Sequence, residues 1–153
     1  MVILLFGQPA SGKTTLADKM MRYMPKLTVR IDGDVWRDIT QNKDYSDEGR
    51  RNNLKSACQM AKLLDMQGHV VLMSFVFPFE ELRKYLMENT HFIQVFLSYE
   101  GDRGRNNYFV KNFEEPTEGD CLRLSTSDFS TEDCISIILK YIKDKTGYDS
   151  GME

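Results

Sequence analysis

Gly7-Gln8-Pro9-Ala10-Ser11-Gly12-Lys13-Thr14, followed by Thr15, carries two glycines five residues apart and then Lys and Thr. That is the spacing of a phosphate-binding loop. An apolar run, Val2 to Phe6, precedes it, and a helical pattern (Leu16, Met20, Tyr23, Met24) follows it. Glycines permit a backbone in which successive N–H groups turn toward phosphate oxygens, and the next helix adds its N-terminal dipole. In that setting Lys13 supplies a point charge for the β- and γ-phosphates and Thr14 a hydroxyl for Mg²⁺. Gly7, Gln8, Pro9, Ala10, Ser11, Gly12, Lys13, Thr14 and Thr15 are therefore the expected nucleotide site, with ATP and Mg²⁺ as cofactors. The alternative, a Gly-rich turn that merely caps a helix, leaves the Lys-Thr pair unexplained.

Outward from the loop, strands and helices alternate. Pro25 predicts that the first helix stops by Met24. Leu27 to Ile31 reads as a second strand ending at Asp32-Gly33-Asp34. The longest helix has Ser46 as N-cap, Asp47 and Glu48 in its first turn, and an apolar stripe of Leu54, Ala57, Cys58, Ala61 and Leu64, ending at Gly68. His69 to Phe75 is a near-continuous apolar run, as in a strand buried on both faces. Pro78 is expected to open a short helix, and Phe92 to Leu97 to form the next strand. From Ser98 to Asp120 periodicity disappears, which in a compact domain marks a lid or binding loop. Cys121 to Leu124 reads as a last strand. Ser130 and Asp133 form a capping box for the terminal helix, which ends before Gly147. This order predicts a three-layer α/β fold with a mostly parallel five-stranded sheet, its ligand site at the carboxyl ends of the strands.

Composition bounds the function. The chain has 153 residues, 41% hydrophobic and 28% charged, with a net charge of −3. That fits one domain over residues 1–153 and lacks the basic field that extended nucleic acid requires. Three scattered cysteines, Cys58, Cys121 and Cys134, read as reduced thiols of a cytoplasmic protein. No membrane span is expected, the apolar run Val70 to Phe79 being short and broken by Ser74.

Asp34 lies just past the second strand, where a carboxylate can accept the proton of a substrate hydroxyl or orient Mg²⁺ through water. The same residues also fit a plain turn, with Asp32 and Asp34 about Gly33. Arg37 falls one helical turn beyond Asp34, and Arg50 and Asn53 share a face of the long helix. Together these are a forked donor set for an anion or a base edge, or else a solvated helix face. Tyr45 reads as a stacking platform or as simple packing.

Four runs extend the pattern: Asp32-Gly33-Asp34-Val35-Trp36-Arg37, Tyr45 to Asn53, Ala61-Lys62-Leu63-Leu64, and Ser74-Phe75-Val76-Phe77-Pro78. With the phosphate loop they resemble adenylylsulfate (APS) kinases, which carry D-G-D-x-x-R, F-S-x-x-D-R-x-x-N and T-S-F-I-S-P motifs in this order. The resemblance covers residues 1 to 80 well and Asn112 to Ile142 loosely. It implies a P-loop kinase fold and transfer of the γ-phosphate of MgATP to the 3′-hydroxyl of adenylylsulfate. It also implies Asp34 as catalytic carboxylate beside Lys13, with the acceptor held by Arg37, Tyr45, Arg50, Asn53, Phe75 and Val76. Gly49 stands where the family has Asp, and Phe77 where it has a second Ser, which implies direct in-line transfer. The family's longer basic lid is reduced here to residues 98–120. Arg103 or Arg105 is expected to meet the ATP adenine or the transferred charge (Arg103 being the residue assigned to the nucleotide), and Phe109 to replace a missing aromatic.

The expected partner is thus a small-molecule acceptor, with no membrane and no extended nucleic acid; a homodimer is a possible assembly. Other readings are a related kinase acting on another nucleotide, a modified nucleobase in DNA or a sugar, and a catalytically silent nucleotide-binding module. Retention of Lys13, Thr14 and Asp34 together counts against the silent module.

Overall fold

The computed structural model describes residues 1–117 and 119–151. Among the described residues, five strands form one parallel sheet: β1 Val2–Phe6, β2 Val29–Asp32, β3 Val71–Phe75, β4 Phe92–Ser98 and β5 Cys121–Ser125. Their order across the sheet is β2-β3-β1-β4-β5. The helices are α1 Lys13–Met20, α2 Gly33–Thr40, α3 Asp47–Met66, α4 Glu80–Asn89 and α5 Thr131–Thr146.

β1 is central, and all its residues are buried. Successive side chains of a strand point to opposite faces. Val2, Leu4 and Phe6 therefore join one core with Leu54, Ala57 and Ala61 of α3 and Leu82 and Leu86 of α4. Ile3 and Leu5 join the other with Leu16 and Met20 of α1 and Ile135, Ile138 and Ile142 of α5. A strand covered on both faces shows no polar side, and each fully buried aliphatic contributes about 1.5–3 kcal/mol. β1 feeds α1 on one face, whereas its neighbour β3 feeds α4 on the other. The connections part at the carboxyl ends of β1 and β3, which opens a crevice there.

The first helix stops by Met24 as expected: α1 ends at Met20 and tightens into a 3₁₀ turn, Met21–Tyr23. Met24, before Pro25, is extended at φ −90 and ψ 159, as the proline ring requires of its predecessor. Other boundaries differ, and β3 starts at Val71 rather than His69. β2 starts at Val29 rather than Leu27, because this edge strand pairs with β3 alone and pairing begins at Val71. α4 starts at Glu80, with Phe79 as N-cap, rather than at Pro78. The Pro78 carbonyl instead accepts the amide of Glu114 at 3.0 Å. Ser46 and Ser130 cap α3 and α5 as expected, and Gly147 ends α5 at φ 75.

Between β4 and β5 the described residues hold one short 3₁₀ turn, Asn106–Tyr108. The segment is nonetheless fastened. Phe113 stacks on Phe6 with ring centroids 6.4 Å apart and lies 6.0 Å from Phe96. Buried Arg83 donates to the Phe77 carbonyl at 2.7 Å and to the Glu114 carbonyl at 2.6 Å. The result is a strap laid along the carboxyl edge of the sheet. No helix among the described residues is long and apolar enough to cross a membrane. All three cysteines are free, and burial pushes the Cys58 thiol up to about 12.

Candidate active site

The phosphate loop runs from the end of β1 into α1, held by two close approaches. A Cβ on Gly7 would overlap the Leu97 carbonyl oxygen, so only glycine lets the loop leave β1 beside β4. Thr126 donates its hydroxyl to the Ser11 carbonyl at 2.9 Å. Gly12, the N-cap of α1, is left-handed at φ 96. Lys13 is buried, and its ammonium donates to the Gln8 carbonyl at 2.7 Å and to Ser11 Oγ at 3.2 Å. Burial lowers its pKa to about 8, opposed by the charges of Asp32 and Asp34 and reinforced by that of Arg105. A cation stripped of water and not fully neutralised is suited to a polyphosphate.

Asp32, at the end of β2, is the hub beneath the loop. Its Oδ1 accepts the Thr14 hydroxyl at 3.0 Å and the Ser74 hydroxyl at 2.7 Å. Its Oδ2 accepts the Asp34 amide at 3.2 Å, capping α2. Burial pushes its carboxyl up, but the Ser74 and Thr14 hydrogen bonds, the Asp34 amide and the Arg30 charge outweigh this and hold it below the ordinary carboxylate range. It is an ionised anchor, not a proton acceptor. The Thr14 hydroxyl beside an ionised carboxylate is a hard oxygen donor set, which fits a hydrated Mg²⁺.

The cleft encloses about 670 Å³. Its far wall carries Arg37, Tyr45, Arg50 and Asn53. One terminal nitrogen of Arg37 donates to Asn42 O, Asn42 Oδ1 and Asp44 O, and the guanidinium lies 4.1 Å over the Tyr45 ring. Arg50 Nε donates to the Tyr45 carbonyl at 2.9 Å. Asn53 is 4% exposed, and its Oδ1 is buried with no hydrogen-bond partner. An unpaired buried oxygen costs about 1–3 kcal/mol.

The turn before α3 explains Gly49. Asp44 accepts the Ser46 amide at 2.9 Å, Ser46 Oγ accepts the Gly49 amide at 3.2 Å, and Asn42 donates to the Gly49 carbonyl at 3.0 Å. A Cβ on Gly49 would overlap the side chain and carbonyl of Asp44. An acidic residue in this position therefore requires a different turn. Gly49→Asp is expected to cost roughly 1–3 kcal/mol, read as a Tm lower by about 2–4 °C for each kcal/mol. An unchanged or higher Tm would show that the turn yields freely.

Of the residues expected from sequence, Pro9, Ala10, Lys13, Thr14, Asp34, Arg37, Tyr45, Arg50, Asn53, Phe75 and Val76 line this one cleft. Gly7, Ser11 and Gly12 shape the loop from behind, and Thr15 is exposed on α1. Two side chains stand elsewhere. Gln8 pairs with the backbone of Val110. Arg103 donates to the Ala10 carbonyl at 2.8 Å and stacks 3.5 Å over Tyr99. It is Arg105, with Asn107, Tyr108, Phe109 and Val110, that reaches the cleft wall. The strap has no periodicity from which to tell Arg103 from Arg105. Asp32 reads in sequence as a turn former; the signal that it is a hub lies in Thr14 and Ser74, far from it along the chain.

A family model described as adenylylsulphate kinase matches residues 1–119. The chain belongs to the adenylylsulphate kinase family. It is accordingly an ATP-dependent kinase with an alcohol group as acceptor. The adenylyl-sulfate kinase of Bacillus licheniformis is 30% identical over 171 residues, covering 95% of this chain and 86% of that one. The structure of the Mycobacterium tuberculosis APS kinase CysC, in complex with AMPPNP and APS, is 21% identical with a TM-score of 0.78, covering 93% of this chain and 96% of that one. A sugar kinase from Janibacter sp. has a TM-score of 0.73 at 16% identity, covering 93% and 94%. At such identities the structural likeness shows the shared P-loop kinase fold. The family match carries the membership.

Proposed function

We propose that this kinase transfers the γ-phosphate of MgATP to the 3′-hydroxyl of adenylylsulfate, a step of sulfate assimilation. The observation that carries the acceptor half is the wall itself: Arg37, Arg50 and Asn53 converge on one side of the cleft beside the exposed Tyr45 ring. The arginines answer the acceptor's anionic groups, and the Tyr45 ring stacks with its adenine.

In this reading the loop amides and Lys13 hold the β- and γ-phosphates. Thr14 and Asp32 would hold the Mg²⁺ that arrives with ATP, which would offset phosphate charge. Asp34 accepts the proton of the attacking hydroxyl, and transfer is direct and in line. Arg105 faces the same phosphates from the strap. Free thiols fit a cytoplasmic setting.

The test is an acceptor screen with radiolabelled ATP, comparing adenylylsulfate with nucleosides, nucleotides, single-stranded DNA and sugars. Saturable labelling of adenylylsulfate at micromolar levels, with release of ADP, is expected. Saturable labelling of another acceptor with adenylylsulfate inert would overturn the reading. Arg50→Ala should raise the acceptor KM by at least about tenfold, as loss of a charged hydrogen bond does, and the ATP KM by much less. Equal effects on both would remove Arg50 from the acceptor half.

A further inference from the structure

Gln8 belongs to the phosphate loop, yet its carboxamide is committed to the strap. Nε2 donates to the Val110 carbonyl at 2.9 Å, and Oε1 accepts the Val110 amide at 3.0 Å. Val110 is thereby paired at both backbone groups, as a neighbouring strand would pair it. Such two-point pairing fixes orientation as well as position. A second tie, from Arg103 to the Ala10 carbonyl, fastens the other end of the same stretch. Between the ties lie Arg105, Asn107, Tyr108 and Phe109, which with Val110 form the strap's share of the cleft wall. On the loop side the ties fall at residues 8 and 10, and the Gln8 carbonyl is also the acceptor for Lys13. Whatever orders the phosphate loop therefore orders the strap.

We propose that Gln8 is a positioning residue whose carboxamide seats residues 104–110 on the phosphate loop, so that nucleotide on the loop sets the strap's side of the cleft, which closes the acceptor space opposite Arg37 and Tyr45. Gln8 acts through Val110 and need touch neither substrate with its side chain. The effect on the acceptor rests on the adenylylsulfate reading above; the tie itself does not.

The test uses the full chain and Gln8→Leu, which keeps bulk and removes both hydrogen bonds. Tryptic cleavage at Arg103, Arg105 and Lys111 is followed with and without a non-hydrolysable MgATP analogue. Local opening controls such cleavage. Gln8→Leu should be cut several-fold faster than wild type and should lose most of the protection that nucleotide gives. Equal cleavage of the two proteins would overturn the proposal.

In the kinase assay, Gln8→Leu should raise the acceptor KM on the order of tenfold, about what two lost hydrogen bonds are worth, and the ATP KM less. A merely structural defect would move both together and would overturn the positioning role. Val110→Pro removes the paired amide from the other side, so the double variant should be no worse than the worse single one. Full additivity would overturn the tie. A wild type inert toward adenylylsulfate, whose strap still opens in Gln8→Leu, supports the tie and overturns only the acceptor.

Discussion

Asp34→Ala is expected to lower kcat by about 10²–10⁴-fold, the range a positioned general base supplies, while ATP still binds. The argument is positional. The Asp32 cap sets Asp34 in the first turn of α2, where its charge is felt by both Lys13 and Arg37. Asp34 lines the same cleft as Lys13 and Arg37, and in the proposed reading that puts it beside the hydroxyl attacking the γ-phosphate. ATP affinity does not require it, since a carboxylate near phosphates repels them. The check is single-turnover ADP release with saturating acceptor, beside a direct binding titration with nucleotide. A kcat within a few-fold of wild type would remove Asp34 from the chemistry, and lost ATP binding would make it a loop-shaping residue instead.

Lys13→Ala is expected to lower kcat/KM for ATP by about 10²–10³-fold, typical of losing one preorganised group that faces transition-state charge. A pH profile tests the same residue without mutation. Only the protonated amine attracts phosphate, and in the free enzyme burial brings its pKa to about 8. kcat/KM for ATP should therefore fall as pH rises through about 8, approaching a decade per unit. The folded-state pKa lies below the ordinary lysine value of 10.5, so the unfolded chain binds more protons between the two. This group's contribution to stability thus rises with pH across that window. A loss of activity there accompanied by a stable Tm points to Lys13, whereas a profile flat through the alkaline range would mean that the site keeps its proton by other means.

The sequence by itself determined whatever rests on near neighbours along the chain. Gly7 to Thr14 is a contiguous loop, Val2–Phe6 is an unbroken apolar run and Val71–Phe75 one interrupted only by Ser74, and the α3 stripe repeats with the helical period. Ser46, Ser130 and Gly147 act through backbone groups a few residues away. From these the parallel sheet and the donor half of the site were legible. Boundaries slipped where distant chain intervened, as at Pro78, whose carbonyl is taken by Glu114.

Only the tertiary structure decided the pairings that span the chain. Gln8 finds Val110 and Arg103 finds Ala10. Asp32 collects Thr14 and Ser74, and Asn53 comes to line the same cleft as Arg37 and Tyr45. Such contacts leave no periodic trace, because each is a single side chain meeting backbone or side chain that the sheet order has carried to its edge. The phosphate loop thus reads from sequence as a nucleotide site, and the fold adds that the strap is tied to it at Gln8 and Ala10.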